Sequence, residues 1–434
     1  MRKLVLLAMA LSGTALAAEK EKSLEERVEA LEFASYASSI SWSGYFQTRY
    51  DYLTIKQDGQ PDQHQVMHRL LGGIDFKANP HEKFSVFGRV AFGKFYNNNP
   101  LGVPGTSGTF SGARRYADDG KAYIERFFIN YTPIDWFTFT AGRLPTVDGP
   151  PRHILDGRPR LGTYPSQVYA VSLDGYALTF NPKIGDNQSL SLRYVLSPLS
   201  FMQVSSTQNS VNTNIYENIP TGVPGKENVS VRDLNSWMAD YSLTGTSVAR
   251  NIGLVYQGLK FENLGITPAL RMTVVKHAAY IELEDIAQIG LTAYVSYTTS
   301  DVKSKGAQIV PGAPFPISAL TNAPNGSEKG HGVIGGLSYK LPVDALKTPS
   351  LGVEYVEGSK YYINFERTSD EAFSFYDVRG TAGQVYYLQP LLPGLTVRVG
   401  YQQAKPDYTT GVLGAPRDSK IEYSNVYANL RADF

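Results

Sequence analysis

The segment from Gly142 to Arg160 is the most unusual part of the chain, and its residues could bind a charged ligand. It contains four arginines and one histidine but two aspartates, among proline and glycine residues that suit a compact, stiff loop. Guanidinium groups bind carboxylate and phosphate oxygens through charge-assisted hydrogen bonds. The composition therefore predicts a loop that favours anions, with the candidate residues Arg143, Asp148, Arg152, His153, Asp156, Arg158 and Arg160.

Covalent and metal chemistry has little support in the sequence. Cysteine is absent, which excludes disulfides, thiolate metal sites and cysteine nucleophiles. The six histidines show no His-x-x-Glu-His spacing or equivalent zinc pattern. Only His153, between Asp148 and Asp156, resembles a catalytic histidine with carboxylate neighbours. We expect no enzymatic activity, no metal and no cofactor.

The end of the chain indicates which elements must position this loop. From Ile421 to Phe434, apolar and polar residues alternate up to the last residue. A strand with one face toward lipid and the other toward water needs this period of two. Similar runs recur from Ser41 onward, for example at 190–196, 291–297 and 395–402. They predict an all-β fold, a transmembrane antiparallel β-barrel.

The spacing of these runs predicts about 16 strands. Short connections at 79–81, 132–134, 181–187 and 245–247 alternate with long ones at 97–120, 145–167, 198–230, 300–330 and 405–420. Short turns on one side and long loops on the other are typical of outer-membrane barrels, and an even count places both termini on the short-turn side. The connection at Glu262–Gly265 is short where a long one is due, which leaves counts of 14 or 18 open.

Within such a barrel, one parity of each strand would line the lumen. A barrel of about 16 strands leaves an aqueous channel, and rings of charge at a constriction set its ion preference. The opposite interpretation is that these groups pair with each other and solvate the wall without selecting anything. The candidate lumen residues are Arg49, Arg69, Lys77, Arg89, Arg193, Arg271, Arg398 and Arg431, opposed by Asp51, Asp75, Asp174, Glu354 and Asp433.

The amino-terminal residues predict export and a small helix. Arg2 and Lys3, a short apolar run and the Ala15–Ala17 motif indicate a signal peptide over 1–17. Residues 18–40 predict a short periplasmic helix or coiled-coil stub, since Ser23 and Glu26 form a capping box. A helix this short needs a partner, either copies of itself or the barrel rim. The barrel itself is predicted over 41–434.

The carboxy-terminal strand, the signal peptide and the strand rhythm resemble Gram-negative outer-membrane porins. The helical stub together with the Gly-Arg-x-Pro-x-x-Asp-Gly-Pro-Pro motif at 142–151 looks like an uncharacterised proteobacterial porin-like family. The resemblance to general porins implies a passive diffusion channel for small hydrophilic solutes and ions. It also implies a third loop folded into the lumen, a homotrimer, and recognition of Phe434 by barrel-assembly machinery.

Other functions remain open to different degrees. A substrate-specific channel or a surface-binding or structural barrel is the main alternative to a porin. A TonB-dependent receptor is disfavoured, because only about 22 residues would precede the barrel in the mature chain, too few for a plug domain. The net charge of +1 gives no reason to expect nucleic-acid binding. The expected partners are therefore outer-membrane lipid and small solutes or ions.

Overall fold

The computed structural model describes residues 40–95, 121–162, 164–170, 173–197, 234–267, 270–306, 321, 325–366, 371–373, 375–409 and 415–434. The predicted signal peptide and the helical stub at 18–40 lie almost wholly outside these residues, so both stay predictions. No helix within these ranges is long and apolar enough to cross a membrane.

Sixteen antiparallel strands close into a barrel, which confirms the predicted fold class. The first strand, β1, pairs with the last, β18, so that no strand edge is left open. Two further strands, β6 and β15, form a separate parallel pair. The strands are β1 (Ile40–Gln57), β2 (Gln63–His81), β3 (Phe84–Phe95), β4 (Lys121–Ile134), β5 (Phe137–Leu144), β6 (Tyr169–Ala170), β7 (Leu173–Phe180), β8 (Gln188–Ser197), β9 (Leu234–Thr244), β10 (Ala249–Thr267), β11 (Leu270–Ile286), β12 (Leu291–Lys305), β13 (Ser327–Lys340), β14 (Ser350–Gly358), β15 (Phe365–Glu366), β16 (Arg379–Leu392), β17 (Leu395–Tyr408) and β18 (Ile421–Asp433).

The strand count of 16 resolves the ambiguity at Glu262–Gly265. This stretch is not a connection: β10 continues through it to Thr267, with a register shift between Phe261 and Leu264. An irregularity of this kind breaks the alternation of polar and apolar residues although the strand continues. The sequence pattern there therefore looks like a turn. The predicted turns at 79–81 and 132–134 are also displaced, because β2 runs to His81 and β4 runs to Ile134.

Alternation along the strands gives the barrel two distinct faces. On β1, Trp42, Phe46 and Tyr50 are exposed on the outside, whereas Arg49 and Asp51 are fully buried inside. On β18, Val426 and Leu430 face outward while Asn425, Tyr427 and Arg431 are buried. An apolar exterior around a polar interior is the arrangement that a bilayer requires of a spanning barrel.

Two connections fold into the barrel instead of leaving its rim. The first insert (145–170, between β5 and β7) contains the short helix α1 (Arg152–Asp156) and strand β6. The second insert (359–378, between β14 and β16) contains strand β15 and a 3-10 turn at Phe375–Asp377. Strands β6 and β15 pair in parallel, so the two inserts form one body. The resemblance to general porins implied the inward folding of the first, and the second was not predicted.

The inserts pack against an apolar part of the inner wall. Phe373 of the second insert stacks on Tyr423 with ring centroids 5.6 Å apart, and Phe365 meets Phe261 edge-on at 5.0 Å. Burial of these apolar side chains stabilises the inserts, because it removes apolar surface from water. The wall residues in this core include Leu53, Ile55, Met67, Leu71, Leu259, Phe261, Met272, Val274, Val302, Ile334 and Val356.

Candidate functional site: the filled lumen

The helix of the first insert is held against β17. Arg398 donates hydrogen bonds from Nη1 to the carbonyl oxygen of Leu155 (3.1 Å) and to Oδ1 of Asp156 (2.6 Å). Arg158 reaches back to Asp156 Oδ2 at 3.0 Å, so two guanidinium groups share this carboxylate. Gly157 ends the helix in the left-handed conformation that glycine adopts without strain.

Glu371 of the second insert joins the two inserts to the wall. Its carboxylate lies 2.9 Å from Arg49 Nη2 and 3.1 Å from Arg152 Nη1, with Arg398 Nη2 at 3.8 Å. Gln402 adds a hydrogen bond from Nε2 at 2.5 Å. The Glu371 side chain is completely buried, so this carboxylate depends on its cationic partners.

The aromatic ring of Tyr427 on the inner wall packs against two of these arginines. The guanidinium of Arg49 lies 4.2 Å above the ring of Tyr427, and that of Arg398 lies at 5.4 Å. Gly400 leaves room for this ring, since a Cβ atom there would stand 2.6 Å from the tyrosine hydroxyl. Arginine over an aromatic face is a favourable cation–π arrangement when both are desolvated.

A second cluster of charges surrounds Asp148 near the start of the first insert. Arg89 Nη1 lies 3.2 Å from Asp148 Oδ2 and 3.1 Å from Glu125, and Arg89 also pairs with Asp75 at 2.7 Å. Arg126 contacts Asp148 at 3.4 Å. Glu125 and Arg126 both point inward because β4 has an irregularity opposite Arg89 and Val90, which sequence alternation could not reveal.

A third cluster links the first insert to β8, β9 and β11. Arg160 pairs closely with Asp240, and Arg193 lies 3.9 Å from the same carboxylate. His153 Nε2 lies 3.1 Å from Glu282 Oε2, and the Tyr280 hydroxyl donates to Glu282 at 2.5 Å. These groups are less buried than those around Glu371, with Arg160 and Arg193 exposing 24% and 22% of their side chains. This side of the first insert is therefore the part of the site most open to solvent.

Lys276 on β11 fastens both inserts at once, and the sequence analysis missed it. Its fully buried Nζ donates to the carbonyl oxygens of Gln167 (2.8 Å) and Val168 (3.1 Å) in the first insert. It also lies 3.4 Å from Oδ1 of Asn364 in the second insert. Three acceptors from two segments compensate for the desolvation of one ammonium group.

Burial and charge act in opposite directions on the two acidic residues of the inserts. Burial alone would raise the pKa of Asp156, but Arg158, Arg398 and Arg152 outweigh it and hold the pKa well below its usual range. The same holds for Glu371, whose pKa burial would raise and which Arg49, Arg152 and Arg398 lower. Both carboxylates are therefore ionised across the whole neutral range.

Two of the predicted lumen and constriction residues, Arg143 and Asp174, do not face the lumen. Arg143 pairs with Asp174 at 2.8 Å on the outer face of β5 and β7, level with the exposed Phe127. The strand continues through Gly142, which has a φ of +125°, and so carries Arg143 outward. Arg271 has the outward parity of β11, next to the buried Met272, but it is itself buried, with 4% exposure.

Most of the remaining predicted residues lie inside and are paired, whereas the ammonium group of Lys77 lies over the ring of Phe87. Arg152, Arg158 and Arg160 each contact a carboxylate, and so do Arg49, Arg69, Arg89, Arg193, Arg398 and Arg431 on the wall. The basic surplus that the sequence indicated at 142–160 is thus largely matched by acidic residues from other segments. Their role in selecting permeants stays a prediction.

Glu354 is a buried carboxylate of a different kind. It receives hydrogen bonds from the hydroxyls of Tyr294 (2.6 Å) and Tyr376 (3.0 Å) and from Gln384 Nε2 (2.5 Å). No arginine or lysine pairs with it in the described part of the chain. Nor do three or more His, Asp or Glu residues there come together in a way that could hold a metal ion.

Comparisons with known proteins give one family model and several solved structures. A family model described as "Protein of unknown function (DUF3373)" matches residues 227–426. No curated protein matches the chain. Among solved structures, OmpF of Salmonella typhi in complex with daunomycin is 9% identical, with a TM-score of 0.49 over 92% of this chain and 99% of the other.

Two other solved structures cover a similar share of the chain. The anion-selective porin of Comamonas acidovorans is 10% identical, with a TM-score of 0.49 over 91% of this chain and 100% of that one. The trimer form of OmpT of Vibrio cholerae is 11% identical, with a TM-score of 0.44 over 91% and 100%. The predicted resemblance to porins is confirmed at the level of the barrel, for which the strand pairing above is the decisive observation.

Proposed function

We propose that this protein is an outer-membrane porin, a passive diffusion channel for small hydrophilic solutes and ions. The observation that carries the proposal is a closed barrel of 16 strands whose outside is apolar and whose inside is lined by charged and amide side chains. A barrel of this size encloses an aqueous passage unless something fills it. The two inserts fill part of it, which supports a small size limit.

Solutes would pass the more open side of the first insert, along Arg158, Arg160, Arg193 and Asp240. These side chains keep partial exposure, whereas those around Glu371 are fully enclosed. Arg160 and Arg193 share the carboxylate of Asp240, and Glu282 lies in the same cluster, so the local charges are balanced. The mild anion preference is a finer proposal than the channel itself, and it rests on the guanidinium donors that Arg158, Arg160 and Arg193 present along this path.

The assembly and location follow from the same analogy. We propose a homotrimer in the outer membrane, with both termini in the periplasm and with delivery through Phe434 and the barrel-assembly machinery. The short helix predicted at 18–40 supports an oligomer, because a helix of that length needs a partner. Phe434 supports the closing role, since its backbone exchanges hydrogen bonds with Gly44 of β1 (2.8 and 3.0 Å).

A substrate-specific channel is the second candidate. The observation that favours it is the extent of the filling, since two packed inserts and a buried core occupy part of the interior. A wide, unspecific pore has no need of such a plug. A specific channel would show saturable uptake of one solute, whereas a diffusion channel shows rates that fall smoothly with solute size.

Liposome swelling with neutral solutes of increasing mass tests the main proposal. We expect swelling with the smallest sugars or amino acids and none with larger ones. The absence of swelling with every solute, at a protein density where a known porin responds, would leave only a structural or adhesive barrel. Reversal potentials in a salt gradient test the anion preference, which is wrong if cations permeate better.

A further inference from the structure

The Glu371 carboxylate lies in a pocket of cations that has the composition of an anion-binding site. Arg49 comes from β1, Arg152 from the first insert and Arg398 from β17, so three separate elements direct guanidinium groups at one point. Gln402 supplies a fourth donor. We name these four side chains the arginine cradle. Converging donors around a single carboxylate are what protein sites use to bind carboxylate ligands.

The cradle offers more donors than its present occupant uses. Arg49 Nη1 and Arg398 Nε are both buried, and neither has a hydrogen-bond acceptor among the described residues. An unsatisfied buried donor costs free energy, so a well-packed protein interior contains few of them. Other guanidinium nitrogens without an acceptor among the described residues occur elsewhere in the lumen, for example in Arg158 and Arg193. The two in the cradle belong to side chains that contact the same carboxylate, so they add donors to a site that already attracts one.

The occupant belongs to an insert and not to the barrel wall. Glu371 is on the connection between β14 and β16, and Gly358 and Gly380 at its ends pair directly across those strands. The wall is therefore complete without the insert. Withdrawal of Glu371 would leave Arg49 with Asp51 and Arg398 with Asp156, and these carboxylates are already shared with Arg69 and Arg158.

We propose that the arginine cradle is a binding site for the carboxylate group of a permeating solute, and that Glu371 occupies it as an internal substitute. A carboxylate solute enters by exchanging with Glu371, which frees the second insert from the wall at this point. The inference rests on the proposed channel function and names its preferred permeant class, small carboxylates. No covalent bond is made or broken in the exchange. The solute carboxylate takes over the ion pairs that Glu371 makes with the arginines.

Chemical rescue tests whether the cradle binds a free carboxylate. Glu371→Ala removes the internal carboxylate and leaves space beside the cradle, and acetate has the same functional group without the chain. We expect acetate to raise the urea midpoint of the Glu371→Ala barrel in detergent until the effect saturates. The acetate concentration needed should be about tenfold lower than the concentration that raises the urea midpoint of the wild type. Acetamide, which has nearly the same shape but no charge, should have no effect.

Glu354→Ala is the matched control, because Glu354 is equally buried but is held by neutral donors. Acetate should not stabilise it more than the wild type. Equal effects of acetate on the two variants, or no effect on Glu371→Ala, would overturn the proposal. If Glu371→Ala does not fold, Glu371→Gln supplies the same comparison, with acetate competing against an uncharged side chain.

Channel recordings separate this inference from the general function. In planar bilayers, acetate should reduce the current through Glu371→Ala more than through Glu354→Ala. If neither the wild type nor Glu354→Ala conducts, the diffusion channel is wrong, whereas the unfolding measurement still tests the site. If both conduct and acetate affects all variants alike, the channel stands and the carboxylate site is wrong.

Discussion

The two inserts differ in charge and in the way they attach to the barrel. The first insert carries three arginines and two aspartates in residues 145–170, and it is held mainly by ion pairs and by backbone carbonyls. The second insert has an acidic surplus and six aromatic residues in 359–378, and it is held mainly by buried rings. The Arg152–Glu371 ion pair joins these opposite charges. The difference indicates that the first insert supplies most of the positive charge in the lumen. The second insert anchors both inserts to the wall, and its Glu371 neutralises part of that charge.

Truncating the aromatic anchor should produce the largest effect. Phe373 is buried and stacks on Tyr423 of β18. Phe373→Ala should lower the free energy of unfolding by about 3–5 kcal/mol, because it removes a buried ring and leaves a cavity. Urea titration in detergent measures this, with the exposed Phe46→Ala on the outer face as control. A loss no larger than that of the control would show that the second insert is not anchored by its rings.

Removing the shared fastening should have a smaller effect that involves both inserts. Lys276→Met keeps the length of the side chain but leaves the carbonyl oxygens of Gln167 and Val168 without their donor. We expect a loss of about 2–3 kcal/mol, typical of hydrogen bonds to a charged group. Lys303→Met, at an exposed site on β12, is the control. If limited proteolysis then cleaved one insert only, the two would not form a single body.

Acidification should have the smallest effect down to mildly acidic pH. The arginines lower the pKa of Glu371 and of Asp156 below the values in the unfolded chain, so their contribution to stability is complete above those unfolded values. It is lost only as the pH falls through the lower folded values. We therefore expect a constant urea midpoint from pH 7 to about pH 4.5, near the ordinary carboxylate range. A steady decline between pH 6 and pH 5 would contradict the ion-paired state of both inserts.

The barrel could be predicted from the sequence, because the alternation that indicates each strand lies within a few consecutive residues. Successive side chains of a strand point to opposite faces, so Val426 and Tyr427 already show their environments by alternation. The same rule fails where the backbone departs from a regular strand. The sequence at Gly142 is typical of the end of a strand, yet β5 continues to Leu144 and turns Arg143 to the outer face.

The contacts inside the lumen could not be predicted, because they join distant parts of the chain. Arg152 and Glu371 are 219 positions apart, and no spacing in the sequence relates them. The sequence of the second insert does contain a signal of burial. Six aromatic residues in a 20-residue connection exceed what an exposed loop needs, and the inner parity of β1 and β2 turns apolar at Leu53, Ile55 and Met67.

We infer that two inserts together narrow a barrel that is otherwise complete. Replacement of residues 359–378 by a short Asn-Gly turn between Gly358 and Arg379 removes one of them, since β14 and β16 are already paired at that point. We predict a single-channel conductance in planar bilayers several-fold above that of the wild type, with a barrel that still folds. A folded barrel with unchanged conductance would contradict the account, because the second insert would then not obstruct the passage.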